Sequence, residues 1–263
     1  MITAIYHTLN EAEFIGRSLR TVAPQVEEVI VLDNGSTDET EAICRAFAQV
    51  RWVAVEGTYL TKGETWMKEA ALALAREPWV LFMDGDEVLA DNWRETCEPL
   101  LTEAHGAVAI WLWEHIGSYE WIRAGFREWK HRLFRRHPGL RWVPSGEPRF
   151  TRLGLHGSFL PTAQPAQIAE AQGTAFFHYG YARRDLKAKY RRNIERGDYT
   201  GDPVEIRKLL DRLEREPVWG WLPPVEPAPY PVEAVPTPMR ELFGRTYRLL
   251  VEGDRVVGRE EVA

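Results

Sequence analysis

At Val80-Leu81-Phe82-Met83-Asp84-Gly85-Asp86-Glu87 an apolar run ends abruptly in three carboxylates. Pro78 precedes the run and Gly85 interrupts it, so Trp79 to Met83 is too short for a helix and reads as a buried strand. A strand buried on both faces belongs in the middle of a parallel sheet. Ligands of open α/β folds bind at the C-terminal edge of such strands. Asp84 and Asp86 are two residues apart, and an extended chain points both side chains the same way. Their repulsion is relieved by a divalent cation or by a shared proton. Hard oxygen ligands suit Mg²⁺ or Mn²⁺, ions that also hold diphosphate oxygens. A simple polar turn, which Asp-Gly favours, is the alternative.

Upstream of this strand the pattern alternates. Ile2 to His7 is a short apolar strand. Asn10 and Glu13 predict a capped helix start, and Ile15, Leu19 and Val22 give that helix one apolar face until Pro24. Val29 to Leu32 is a second strand, followed at once by Asp33-Asn34-Gly35-Ser36-Thr37-Asp38. Ser36 and Glu39 predict a capping box for a helix with Ala42, Ile43, Ala46 and Phe47 on its inner face. Trp52 to Val55 is a third strand, and Met67, Ala70, Ala71 and Leu74 mark a third helix. The order β-α-β-α-β-α-β over the first 87 residues implies a parallel sheet. Its polar rim gathers three strand ends: Thr8–Glu11, Asp33–Asp38 and Asp84–Glu87.

Downstream the grammar changes. Ala107 to Trp113 reads as a strand, residues 119–142 are rich in Trp and Arg, and residues 184–196 read as a basic helix. Pro203 to Glu216 reads as an amphipathic helix. Eight prolines between 217 and 238 predict an extended crossing segment, and Tyr247–Val251 with Arg255–Val257 predicts a terminal hairpin.

The net charge of −6 hides a division. Residues 1–105 hold 8 Lys/Arg against 19 Asp/Glu, a net of −11, whereas residues 123–196 hold 16 against 5, a net of +11. A basic face attracts phosphate, on a nucleotide, a lipid head group or a nucleic acid, and pairing with the acidic half is the alternative. The longest wholly apolar run, Ala107 to Trp113, is far short of a membrane span. Glu11 and Glu13 interrupt the opening, which does not read as a signal peptide, and Cys44 and Cys97 form no CxxC pair. The expectation is a cytoplasmic protein, peripheral at the inner face of the membrane, with no nucleic-acid partner.

Asn10-Glu11 after strand one, Asp33–Asp38 after strand two and Asp84-Gly85-Asp86 after strand four together resemble the family 2 inverting glycosyltransferases with the GT-A fold. Arg132-Leu133-Phe134, Gly146-Glu147 and Phe177-His178-Tyr179 before a basic helix resemble the subgroup that includes lipopolysaccharide-core β-glucosyltransferases. The resemblance implies a Rossmann-like, mostly parallel sheet flanked by helices. A GT-A domain would span residues 1–200, with a nucleotide-sugar half (1–105) and an acceptor half (106–200). A helical and Pro-rich extension with the hairpin would fill 201–263.

The resemblance also implies roles. Asp33 binds the nucleobase, and Thr8, Asn10, Glu11, Gly35 and Ser36 shape the nucleotide pocket. Lys68, Asp84 and Gly85 lie along the nucleotide diphosphate. Asp84 and Asp86 hold Mn²⁺ or Mg²⁺, with His178 completing the shell. Relatives carry His-Glu where this chain has Gly146-Glu147, and Arg-Asn where it has Lys68-Glu69. Glu147 is the implied catalytic base, with Glu114 and Glu120 next in line. Arg132, Tyr181, Lys187 and Tyr190 are placed toward phosphate or acceptor, with simple decoration of a helix as the alternative for the last three. For His178 a hydrogen-bonded core position is the alternative, and Trp111, Trp113 and Trp121 read as packing residues. The implied substrates are a nucleoside-diphosphate sugar, a UDP-sugar first, and a saccharide or lipid-linked acceptor. Diphosphate leaves with charge, which a metal and basic side chains offset, and the acceptor hydroxyl needs a carboxylate to take its proton. A sugar-phosphate nucleotidyltransferase would need a Gly-rich basic loop after strand one, which Thr8–Glu11 lacks. A non-catalytic nucleotide-sugar-binding protein is the alternative of another class.

Overall fold

The computed structural model describes residues 1–55, 58–118, 120–138, 140–144, 157–161, 167–196, 202–230, 234–239 and 247–261. The first half runs β1 (Ile2–Thr8), α1 (Ile15–Val22), β2 (Glu28–Asp33), α2 (Thr40–Arg45), β3 (Val50–Ala54), α3 (Thr58–Leu74) and β4 (Trp79–Asp84), in the alternation the sequence predicts. Then come β5 (Glu87–Leu89), α4 (Trp93–Cys97), β6 (His105–Glu114), β7 (Trp121–Arg123), β8 (Glu128–Arg135), β9 (Leu140–Pro144), β10 (Gly157–Pro161) and β11 (Gln167–His178). The remainder is α5 (Leu186–Arg196), α6 (Pro203–Arg215), β12 (Val225–Pro227), β13 (Tyr247–Glu252) and β14 (Arg255–Glu261).

Eight strands form one sheet in the order β3-β2-β1-β4-β8-β6-β11-β5. The pairs β3–β2, β2–β1, β1–β4 and β6–β11 are parallel; β4–β8, β8–β6 and β11–β5 are antiparallel. β4 is therefore the seam between a parallel half and a mixed half, rather than the middle of a purely parallel sheet. Its alternate residues enter two different cores, as a period of two requires. Trp79, Leu81 and Met83 pack with α1, Cys44 of α2 and Trp93 of α4 on one face. Val80 and Phe82 pack with Met67, Ala71 and Leu72 of α3 on the other. Each such fully buried side chain contributes about 1.5–3 kcal/mol relative to exposure.

Two local expectations fail for one reason. Asn10 does not cap a helix: it sits at φ 56, and α1 begins only at Ile15 after Phe14. Asn and Asp are the non-glycine residues that tolerate this left-handed backbone. The Ser36–Glu39 capping box is also absent; α2 begins at Thr40, whose N–H donates to Asp38 at 3.0 Å. In both places the capping side chain is drawn into bonds across neighbouring loops. On α2 the buried residues are Thr40 and Cys44 with Ile43 and Phe47 beside them, while Ala42 and Ala46 face solvent.

The tail is tied to the mixed half. Tyr190 and Ile194 of α5 share a core with Leu213 of α6. β12 pairs with β7, and Val225, Val235 and Val256 pack with Phe177 and Tyr179. The predicted hairpin forms as β13 and β14, turning at Gly253 with φ 61. Among the described residues no helix is long and apolar enough to cross a membrane.

Candidate functional site

The three predicted strand ends do share one rim. Parallel register sets Thr8 opposite Asp33 and His7 opposite Asp84. On the β1–β2 side the two loops are laced together by short polar side chains. Asp33, 4% exposed, accepts from the Gly35 N–H at 3.0 Å, the Ser36 N–H at 2.9 Å and the hydroxyls of Ser36 and Thr8. Gly35 supplies φ 92 for the turn. Ser36 Oγ accepts from the Asn10 N–H at 2.9 Å, Asn10 Oδ1 accepts from the Thr37 N–H at 2.8 Å, and Thr40 Oγ1 accepts from the Glu11 N–H at 2.8 Å. Each loop thus satisfies the other's backbone donors, as buried polar groups require.

The β4 end is built from charge. β4 stops at Asp84, and residues 85–86 turn into β5. That turn breaks the alternation that would aim Asp84 and Asp86 the same way. Their repulsion is met by a third solution, one arginine for each carboxylate. Arg132 Nη2 donates to Asp84 Oδ2 at 2.8 Å and also to Glu87. Arg183 Nη2 donates to Asp86 Oδ2 at 2.8 Å and also to Glu11. Gly85 is required here, because a Cβ would lie 2.8 Å from Cγ of Glu11. Burial works to raise the Asp84 pKa, but Arg132 and then Lys68 outweigh it and hold the carboxyl well below its usual range. For Asp86, His178 and Arg183 outweigh burial in the same sense. Glu11 and Glu87 are raised, because burial dominates for both.

His178 ends β11 beside this turn. Its Nε2 lies 3.5 Å from Asp86 Oδ1 and its Nδ1 lies 3.6 Å from Glu114 Oε1. Burial would lower its pKa, but Asp86 and then Glu114 raise it to about 10. Lys189 of α5 lies with Nζ 4.6 Å from the Tyr181 ring centre, and burial lowers its pKa to about 8. Gly180 leaves the room it needs: a Cβ there would collide with Lys189 Nζ.

The structure brings Thr8, Asn10, Glu11, Asp33, Gly35, Ser36, Asp84, Gly85, Asp86, Arg132, His178 and Tyr181 to this rim. Lys68 is buried, its Nζ 5.2 Å from the ring centres of both Phe82 and Trp142, with its charge acting on Asp84. Two expected residues turn elsewhere. Tyr190 donates its hydroxyl to the Trp221 carbonyl at 2.8 Å, and Lys187 Nζ donates to the Glu214 carbonyl at 3.3 Å, so the first ties α5 to the segment after α6 and the second ties it to α6 itself. Gly146 and Glu147 lie outside the described residues. Trp111, Trp113 and Trp129 pack on one another with Tyr230.

Asp84, Asp86 and His178 do not close into a three-ligand shell; among the described residues no three His, Cys, Asp or Glu side chains converge as one. Asp86 and His178 do stand side by side. A carboxylate oxygen beside an imidazole nitrogen fits an Mn²⁺-type ion whose other positions are filled by diphosphate oxygens and water.

Arg183 and Lys189 come from the basic stretch 183–192 that the sequence offers for phosphate, whereas Glu114 stood only second in line as a base. Glu114 carried the same signal as Asp84, a carboxylate closing an apolar strand. The opposed charges of the two halves also meet here: Arg132 pairs with Asp84, Arg183 with Glu11 and Asp86, and Arg192 approaches Glu11 at 3.9 Å.

The family model described as glycosyl transferase family 2 matches residues 3–158, more than half of the chain. The chain is 26% identical over 181 residues to the lipopolysaccharide core biosynthesis glycosyltransferase LpsC of Rhizobium meliloti, covering 64% of this chain and 66% of that protein. It is 31% identical over 217 residues to a TPR repeat-containing protein of Synechococcus elongatus, covering 79% of this chain and 51% of that one. The chain thus spans less than two thirds of the length of these curated relatives. Among solved structures it is similar to S. aureus TarS in complex with UDP-GlcNAc, at 16% identity and a TM-score of 0.45, over 81% of this chain and 71% of that one. The chain belongs to glycosyl transferase family 2.

Proposed function

We propose that this rim binds a nucleoside-diphosphate sugar, a UDP-sugar first, and transfers its sugar with inversion to a hydroxyl of a saccharide or lipid-linked acceptor. The observation that carries the reading is the meeting of Arg132, Arg183, Lys189 and His178 with the carboxylates of the β1 and β4 ends. Cations so placed offset the charge of a departing diphosphate, and in a buried site they act with little solvent screening. Asp33 and the Gly35–Ser36 turn face the nucleobase. Asp86 and His178 would hold Mn²⁺ or Mg²⁺, with Asp84 nearby at the end of β4. When bound, that ion adds positive charge at the diphosphate. Glu147 takes the proton of the acceptor hydroxyl from the face opposite the leaving group, as inversion demands. Likeness to LpsC supports a lipid-linked or lipopolysaccharide-type acceptor, and a peripheral contact with an anionic membrane would suit one.

The test incubates the protein with UDP-, GDP-, dTDP- and CMP-sugars, with and without Mn²⁺, and scores thermal stabilisation and then transfer. A ligand at about 100 times Kd adds roughly 2.7 kcal/mol of stability. Glu147→Gln is expected to cut kcat by about 10²-fold or more while donor affinity holds. Unchanged output from Glu147→Gln, on substrates the wild type turns over, would remove Glu147 from the mechanism. Donor binding with no transfer in the wild type on any lipid-linked or saccharide acceptor would favour the non-catalytic binding reading.

A further inference from the structure

His178 stands between two carboxylates from different elements: Asp86 in the turn between β4 and β5, and Glu114 at the end of β6. β11 runs parallel to β6 with His178 opposite Glu114, and antiparallel to β5 with His178 opposite Glu87. Backbone pairing therefore sets Glu114 beside His178, while Asp86 reaches the imidazole from the turn that precedes β5. Nε2 faces Asp86 Oδ1 at 3.5 Å, and Nδ1 faces Glu114 Oε1 at 3.6 Å. Nδ1 is buried and makes no hydrogen bond among the described residues, so Glu114 is the acceptor within closest reach of a small side-chain adjustment.

Glu114 is itself held. It is 9% exposed, and its second oxygen accepts from Arg123 Nη1 at 3.0 Å. Arg123 lies over the Phe126 ring, its guanidinium carbon 5.1 Å from the ring centre. The ring of His178 is confined from the other side as well. A Cβ on Gly180 would lie 2.7 Å from both Cε1 and Nε2, so the backbone passes tight against the imidazole edge. The Tyr181 ring meets it edge-on, with centroids 6.4 Å apart.

An imidazole presents two nitrogens, and the partner of one decides what the other does. A carboxylate at one nitrogen keeps a proton there and frees the other for a ligand, the arrangement found behind many metal-bound histidines. We propose that Glu114 is a positioning residue: it holds the proton on Nδ1 of His178 and so presents Nε2 to Asp86 and to the metal–diphosphate group. The inference rests on the reading of His178 as a donor toward that group. The rival role for Glu114 is the structural neutralisation of Arg123, and the two roles predict different behaviour.

The experiment titrates Mn²⁺ in the presence of UDP and follows free Mn²⁺ by electron paramagnetic resonance, with no turnover involved. Wild type, Glu114→Ala, Glu114→Gln, Arg123→Gln and His178→Ala are compared, and the urea midpoint of each is measured alongside. Removing such a partner weakens metal affinity by about 10–100-fold, and that loss is expected for Glu114→Ala. Glu114→Gln retains an acceptor oxygen and should recover most of the affinity. Arg123→Gln should lose stability yet bind Mn²⁺ within a few-fold of wild type. Wild-type affinity in Glu114→Ala, beside a loss in His178→Ala, overturns the inference and leaves the donor reading intact. Wild-type affinity in His178→Ala overturns the donor reading itself and this inference with it. Should Glu114→Ala not fold, ¹⁵N shifts of the wild-type histidines on adding Mg²⁺ and UDP decide the matter. Nε2 of His178 should move while Nδ1 keeps its proton, and the reverse pattern overturns the proposal.

Discussion

The two sides of the rim are held by different forces. On the β1–β2 side, Asp33, Ser36, Asn10 and Thr40 satisfy backbone donors of neighbouring loops, and the order is local and geometric. On the β4–β11 side, Glu11, Asp84, Asp86 and Glu87 are balanced by Arg132, Arg183 and His178 drawn from the other half of the chain, and Glu114 by Arg123 and His178 of its own half. A hydrogen-bonded loop has one good arrangement. A balanced set of buried charges has several, because an incoming anion or cation can take the place of a partner. On the proposed function this difference divides the labour: a hydrogen-bonded wall for the nucleoside, and a charged wall for diphosphate.

The comparison breaks most visibly at Arg183. Its replacement by Ala leaves Glu11 and Asp86 buried without their shared partner, and removing one member of such a set costs about 3–5 kcal/mol. Urea denaturation at neutral pH measures this. A loss below about 1 kcal/mol, the range of surface pairs, would mean that the charges are not coupled as described.

Asp33→Ala probes the other wall. The Gly35 and Ser36 N–H groups and the hydroxyls of Ser36 and Thr8 lose their acceptor, at a cost of about 1–3 kcal/mol for the stranded donors. Hydrogen exchange of the Gly35 and Ser36 amides should accelerate in that variant while the β4–β11 ion pairs persist. Unchanged exchange would show that the loop is held by something else.

Two adjacent histidines sharpen the contrast. His115 is buried among aromatics, stacked on Tyr179 with ring centres 4.5 Å apart, its ring nitrogens bonded to the Ser118 carbonyl and the Tyr230 hydroxyl. Burial lowers its pKa to about 3. The unfolded chain then binds the proton more readily, so the stability His115 contributes is present above about pH 6.5 and is lost as pH falls toward about 3. Without a bound metal, His178 has the opposite sign. Its contribution is fully present below about pH 6.5 and is lost as pH rises through about 10. Each slope approaches ~1.4 kcal/mol per pH unit inside its window. Denaturation series across both windows should flatten at the acid end in His115→Gln and at the alkaline end in His178→Gln. Identical profiles for the two variants would refute the assignment.

Much of this was legible in the sequence. The apolar run before Asp84, the β-α alternation and the three polar strand ends placed the sheet and its rim correctly, because strand burial and period are local properties. Contacts between distant residues were not legible. The Asn10 and Ser36 caps obeyed a short-range rule that cross-loop bonds overrode, 26 residues apart in the case of Asn10 to Ser36. The Asp84–Asp86 alternation assumed an extended chain, and the turn at residues 85–86 removed it. On α5 the basic character was plain but the facing was not. Lys187 meets α6 and Lys189 meets Tyr181, because residues two apart lie on nearly opposite sides of a helix. The opposed charges of the two halves were visible, yet only the sheet order could say that Arg183 would cross 97 residues to meet Asp86.

The most direct measurement is a calorimetric titration of UDP with Mn²⁺ into wild type and Asp86→Asn. That variant keeps the shape of Asp86 and the Arg183–Glu11 pair, and removes one carboxylate charge from the β4 turn. The account predicts binding by the wild type and at least about tenfold weaker binding by Asp86→Asn, equivalent to ~1.4 kcal/mol. Equal affinity in the two proteins, or no binding of any nucleoside diphosphate by the wild type, would contradict it.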